Sequence, residues 1–150
     1  MTELKKYKIK EIWKVEDLPI TGRLYDFDGY CIALETPNKI RNLKILIENI
    51  QCCCEDWGYI CSEDNFDDFI GATILEVYTT GIAGETTLLE KLKYDSIREY
   101  EEQEEQDVMF LTLKTTKGNL QFAVYNFHNG YYGHTALIVL DDKAIEEVDL

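Results

Sequence analysis

The chain has 150 residues, 29 Asp plus Glu against 15 Lys plus Arg, and a net charge of −14. That length suits one domain over residues 1–150 with a real core, so its five cysteines are optional for folding. No stretch approaches the roughly 20 apolar residues of a membrane span, and MTELKKYKIKEIWK alternates charge with apolar residues, unlike a signal peptide. A soluble, cytoplasmic protein is the expectation, with thiols kept reduced.

The charge is unevenly spread. Between Ile45 and Glu90 there is no Lys or Arg, while Glu63, Asp64, Asp67 and Asp68 fall close together; a second base-free run, from Glu99 to Leu113, holds Glu99, Glu101, Glu102, Glu104 and Glu105. Such surfaces repel phosphate backbones, which disfavours direct nucleic-acid binding, and they suit a basic channel on another protein. Simple solubility is the plain alternative.

In chain order, Tyr7, Ile9, Trp13 and Val15 form one side of a period-2 pattern with Lys6, Lys8, Lys10 and Lys14 opposite, which predicts a half-buried strand with a basic outer face. Asp28-Gly29 reads as a turn, Tyr30, Ile32 and Leu34 as a strand, and Leu43, Ile45 and Ile47 as its hairpin partner beyond Pro37-Asn38-Lys39. That second strand runs into Gln51–Cys61, QCCCEDWGYIC, with a bend at Trp57-Gly58-Tyr59. Ser62 to Asn65 offers an N-cap, Phe66, Phe69 and Ile70 share a helical face, and Gly71 is placed to stop a short helix. Ile74 to Tyr78 predicts a strand, and about 85–106 an acidic helix fading into a solvated insertion. Val108–Thr115, Leu120–Asn126 and His134–Leu140 predict a three-stranded antiparallel meander. The fold class expected is α+β: a mostly antiparallel twisted sheet of about six or seven strands with one or two helices.

The cysteines admit three uses: a zinc site, buried apolar filling, or a nucleophile. Zinc needs three or four Cys or His ligands converging from separate segments. Cys52, Cys53, Cys54 and Cys61 supply thiols, and His134, at the start of a strand, could supply an imidazole; His128 is the other histidine. Glu55, Asp56, Glu63 and Asp64 would raise a thiol pKa, which argues against a nucleophile, whereas a bound dication deprotonates its thiols. Phosphate loops, metalloprotease helices and nucleophile elbows are missing, so no catalytic residue is assigned and the expectation is a non-enzyme.

Cys53-Cys54-Glu55, the acidic Glu63–Asp68 stretch, Gly71, the acidic insertion and the terminal KTTKGNLQFAVYNFHNGYYGH, over roughly residues 22 to 140, resemble a family of small phage and prophage domains of Gram-positive bacteria. Members of that family often carry a histidine shortly before the cysteine pair; Asn49 or a neighbour stands there in this chain, leaving Cys52, Cys61 and His134 to compensate. The phage setting implies an anti-defence inhibitor similar to an anti-CRISPR, which binds an RNA-guided DNA nuclease through acids and blocks DNA loading. The alternative it implies is a sponge for a cyclic-nucleotide defence signal, for which the arginines are few: Arg23, Arg41 and Arg98.

Overall fold

A computed structural model of the chain describes residues 1–51, 55–80, 106–128 and 133–150. It is all-β: β1 (Lys8–Leu18), β2 (Phe27–Thr36), β3 (Lys39–Glu48), β4 (Glu55–Cys61), β5 (Ile74–Thr80), β6 (Gln106–Thr115), β7 (Gly118–His128), β8 (Thr135–Leu140) and β9 (Lys143–Asp149). They form two antiparallel sheets, five strands in the order β1-β2-β3-β8-β9 and four in the order β4-β7-β6-β5.

The α+β expectation is therefore corrected. Among the described residues the only helical pieces are 3-10 turns at Thr2–Leu4 and Asp67–Phe69. The Ser62–Gly71 segment has too few turns to offset the cost of nucleating a helix. Instead Asn65 Oδ1 accepts from the Asp67 N–H at 3.0 Å, a local alternative to helical bonding, and Ile70 is already extended. Gly71, at φ 83, does stop the turn, as its position suggested. The acidic helix or insertion expected at about 85–106 lies, up to residue 105, outside the described residues.

Two hairpins follow the sequence reading. β2 and β3 pair from Thr36↔Lys39 inward across Pro37-Asn38. β6 and β7 close at Thr115↔Gly118, where the Thr115 hydroxyl donates to the Gly118 carbonyl at 2.7 Å and accepts the Lys117 N–H at 3.1 Å. Asp28-Gly29, read as a turn, lies inside β2 instead. A Cβ at Gly29 would overlap the Ile45 carbonyl on β3, so glycine is there for a close backbone approach. Trp57-Gly58-Tyr59 is likewise no bend but the middle of β4.

The expected meander breaks after its second strand. β8 leaves β7 and inserts between β3 and β9, with Leu43↔Leu140, Ile45↔Ile138 and Leu46↔Leu137 in register. β8 is apolar on both faces, which suits the centre of a sheet covered on each side. Ile45 and Ile138 enter the main core, while Leu46 and Leu137 join Phe27 and Val139 in a second cluster on the outer face, packed by Val15, Leu18 and Ile20. Arg23, between Ile20 and β2, reaches Glu147 on β9 with two bonds of 2.7 and 2.8 Å.

β1 is also displaced from its simple alternation. A bulge between Ile9 and Glu11 shifts the register, so Ile9 and Ile12 face the core while Trp13, paired with Cys31, sits on the outer face at 36% exposure.

The strands of the two sheets cross steeply. β5 starts beside β1, where Gly71 and Ile74 donate to Ile9 and Tyr7 carbonyls at 2.7 and 2.8 Å, and Thr79 near its end donates to Glu146 of β9 at 2.6 Å. β1 and β9 are opposite edges of the larger sheet, so one strand of the smaller sheet spans its width. This is the orthogonal form of sheet packing, with a corner closed at β1 and β5. Between the sheets lie Ile32, Leu34, Leu43, Ile45, Leu111, Leu113, Phe122 and Val124, all fully buried. Burial of each such side chain contributes about 1.5–3 kcal/mol.

Candidate functional site

β4 carries the residues that the sequence singled out. It pairs with β7 through Trp57↔Asn126, Tyr59↔Val124 and Cys61↔Phe122, and alternation turns Trp57, Tyr59 and Cys61 toward the core. Cys61 stands four residues beyond Trp57, about 13 Å along a strand that rises about 3.3 Å per residue. The strand thus separates two environments.

At the first end, His134 is 1% exposed. Its backbone exchanges two 2.8 Å hydrogen bonds with Leu150, and Asn126 Nδ2 donates to the Leu150 oxygen at 3.1 Å. The His134 ring stacks on Trp57 with centroids 5.6 Å apart, and Nδ1 lies 2.7 Å from the Glu48 carbonyl oxygen. A carbonyl only accepts, so Nδ1 donates here, a ring-to-carbonyl bond of the kind that orients many metal-ligating histidines. Trp57 Nε1 donates to Gln51 Oε1 at 2.8 Å, which ties the residue preceding Cys52 to the same place.

Cys52, Cys53 and Cys54 lie outside the described residues, as do Tyr131 and Tyr132. Among the described residues, no three His, Cys, Asp or Glu side chains gather as a metal set. Of the five expected ligands, His134 stands beside the chain entering the cysteine triplet, and Cys61 stands at the far end of β4. The structure does not bring Cys61 and His134 together.

At the second end, Cys61 is 3% exposed, in the core with Phe122. The core here is aromatic. Tyr30 on β2 meets Tyr59 edge-on at 5.5 Å and 84°, Phe66 edge-on at 6.2 Å and 89°, and Phe122 at 5.0 Å. Over these rings opens a cleft of about 210 Å³, whose rim holds Lys14, Glu63 and Asp64. Burial, then the nearby Cys61, Tyr59, Tyr125 and Asp64, pushes the Tyr30 hydroxyl well above its usual range. Tyr59 is raised too, by burial first, then by Asp28 and Glu16, whose carboxylate accepts its hydroxyl. Both phenols keep their protons at neutral pH.

The acids expected to meet a partner lie on the β4–β5 connection. Glu63, Asp64, Asp67 and Asp68 are all exposed. Glu63, Asp67 and Asp68 take part in none of the described ion pairs, which join Arg23 to Glu147, Arg41 to Asp141 and Lys114 to Glu76. Among the described bases, Lys14 lines the cleft, and Lys117 Nζ donates to the Ile70 carbonyl at 3.0 Å. Glu99, Glu101, Glu102, Glu104 and Glu105 lie outside the described residues.

The sequence reading missed the cleft itself. Tyr30 reads as a strand residue and Phe66 as part of a helical face, and nothing local says that both meet Tyr59. The one available signal was an aromatic at alternate positions of β4 immediately before an acidic tract.

Compared with known proteins, residues 8–138 match a family described as Domain of unknown function (DUF7448). The match begins at β1, ahead of residue 22 where the resemblance read from the motifs begins. No curated protein and no solved structure matches the chain.

Proposed function

We propose, for a chain that belongs to the DUF7448 family, that it is a non-enzymatic binding domain whose exposed acids dock on a basic, nucleic-acid-handling protein. In the phage setting implied by the motifs, that partner is an RNA-guided DNA nuclease, and docking keeps target DNA from loading. One observation carries the reading: Glu63, Asp64, Asp67 and Asp68 stand exposed together on one short connection, in a segment without Lys or Arg. Zinc, if held by His134 with thiols of the cysteine triplet, serves here as a structural ion.

Each exposed charge contributes about 1 kcal/mol or less to docking, so the surface acts as a group. The test is DNA loading and cleavage by a candidate nuclease with wild-type protein and with a variant carrying Glu63→Lys, Asp64→Lys, Asp67→Lys and Asp68→Lys. Wild type is expected to inhibit, with association slowing as salt passes about 0.15 M. The folded variant is expected to lose inhibition. Inhibition that survives all four reversals and high salt removes the acidic tract from the mechanism.

A further inference from the structure

We propose that the cleft beside the acidic tract is a receptor for one arginine side chain of the partner, with the guanidinium seated against Tyr59 and Phe66 and paired by Glu63 and Asp64. It rests on the docking reading and names the anchor within it. Tyr59 and Phe66 each stand nearly perpendicular to the same Tyr30 ring, at 84° and 89°, and Tyr30 itself is 3% exposed. Tyr30 is thus a buried floor, and the other two rings are half-buried walls. Ring faces carry the negative lobe of the aromatic quadrupole, which attracts a cation.

The charges select the occupant. Glu63 and Asp64 line the cleft, and Glu16 and Asp28 act on Tyr59 from its side, against the one ammonium of Lys14. An anion is repelled by Glu63 and Asp64, and a neutral apolar group would desolvate those carboxylates at a cost. At about 210 Å³ the cleft is smaller than the roughly 300–1,000 Å³ of small-molecule and cofactor pockets, so a single side chain suits it. Arginine is favoured over lysine because a planar guanidinium can lie on a ring and meet a carboxylate with two parallel bonds at once. Lys14 is exposed on a flexible stem, so it can swing clear.

The experiment needs no partner. Isotope-labelled protein is titrated with N-acetyl-arginine methylamide, beside the uncharged N-acetyl-citrulline methylamide, and the ring resonances of Tyr59 and Phe66 are followed. The arginine compound is expected to give saturable shifts centred on those rings, with millimolar affinity, and the citrulline compound to bind about ten-fold more weakly. Glu63→Gln with Asp64→Asn is expected to weaken arginine binding several-fold, and Lys14→Ala to strengthen it. Rings that do not move, or that move equally with citrulline, overturn the proposal. The two readings separate cleanly: arginine bound but no basic protein bound sinks the docking reading and leaves the cleft standing. A basic protein bound through the acids, with the rings unmoved by arginine, does the reverse.

Discussion

The two ends of β4 are built from the same alternation and close in opposite ways. At Trp57 the core is sealed by polar groups that satisfy one another: His134 on Glu48, Leu150 on His134 and Asn126, Trp57 on Gln51. At Cys61 it is lined mainly by rings, and beyond them the surface turns acidic. A hydrogen-bonded seal fixes geometry because each buried polar group costs free energy unless paired. An aromatic seal tolerates an opening, since rings lose little when one edge meets water. The rigid end suits a structural ion or simple stability, and the open end suits recognition.

The strongest way to break that contrast is to damage the aromatic end. Phe122 is fully buried between Tyr30, Phe66 and Cys61, so Phe122→Ala is expected to cost about 3–5 kcal/mol in denaturant unfolding. If the ends share one cooperative core, hydrogen exchange at His134 and Leu150 should accelerate with it. Exchange that stays slow there while the Cys61 end opens would make the ends separate units. His134→Ala attacks the other end. Loss of its ring bond to Glu48 and its stacking on Trp57 is expected to cost about 2–3 kcal/mol, without altering arginine binding at the cleft.

The contrast is sharpened by metal content. Because Cys61 stands about 13 Å along the strand from Trp57, Cys61→Ser is expected to leave zinc per chain unchanged and to cost about 1–2 kcal/mol through a hydroxyl placed in an apolar site. Cys54→Ser and His134→Ala, measured by elemental analysis in parallel, are expected to lower it. Zinc lost with Cys61→Ser would mean that the two ends meet after all.

What was legible in the sequence was local. Thr115 to Gly118 and Thr36 to Lys39 pair residues a few positions apart, and turn chemistry there overrides other choices. The place of β8 was not legible, because Leu137 and Ile138 read the same whether they lie beside β7 or beside Leu46 and Ile45 of β3. Only packing on both faces decides it, and that is a property of the assembled sheets. β9 escaped notice for a related reason: its irregular register against β8 and its exposed Lys143, Ala144 and Ile145 blur the alternation. The bulge at Ile9 hid Trp13 in the same way. As for the site, the cysteine triplet and the acids were visible as types, but that Cys61 joins the rings rather than His134 depends on which face of β4 meets which sheet.

The smallest expected effect compares an acid bonded at the β8–β9 turn with the two acids that line the cleft. Asp141, at the β8–β9 turn with φ 56, accepts from Arg41 Nε at 3.0 Å and from the Asn42 N–H at 3.1 Å. Although burial alone would raise its pKa, the bonds from Asn42 and Arg41 hold it below the ordinary 3.8. A carboxyl whose folded pKa lies below its unfolded one stabilises the fold above the unfolded value, and the effect is lost as pH falls through the folded value. With the side chain 44% exposed, solvent screening keeps the ion pair under about 1 kcal/mol. Asp141→Asn should therefore lower stability slightly at pH 7, with the gap to wild type closing as pH falls below about 4, in urea unfolding followed across that range. Glu63→Gln with Asp64→Asn should stay within about 0.5 kcal/mol of wild type at pH 7. A loss there as large as that of Asp141→Asn would assign those two acids to the fold and take from the open end its claim to a partner.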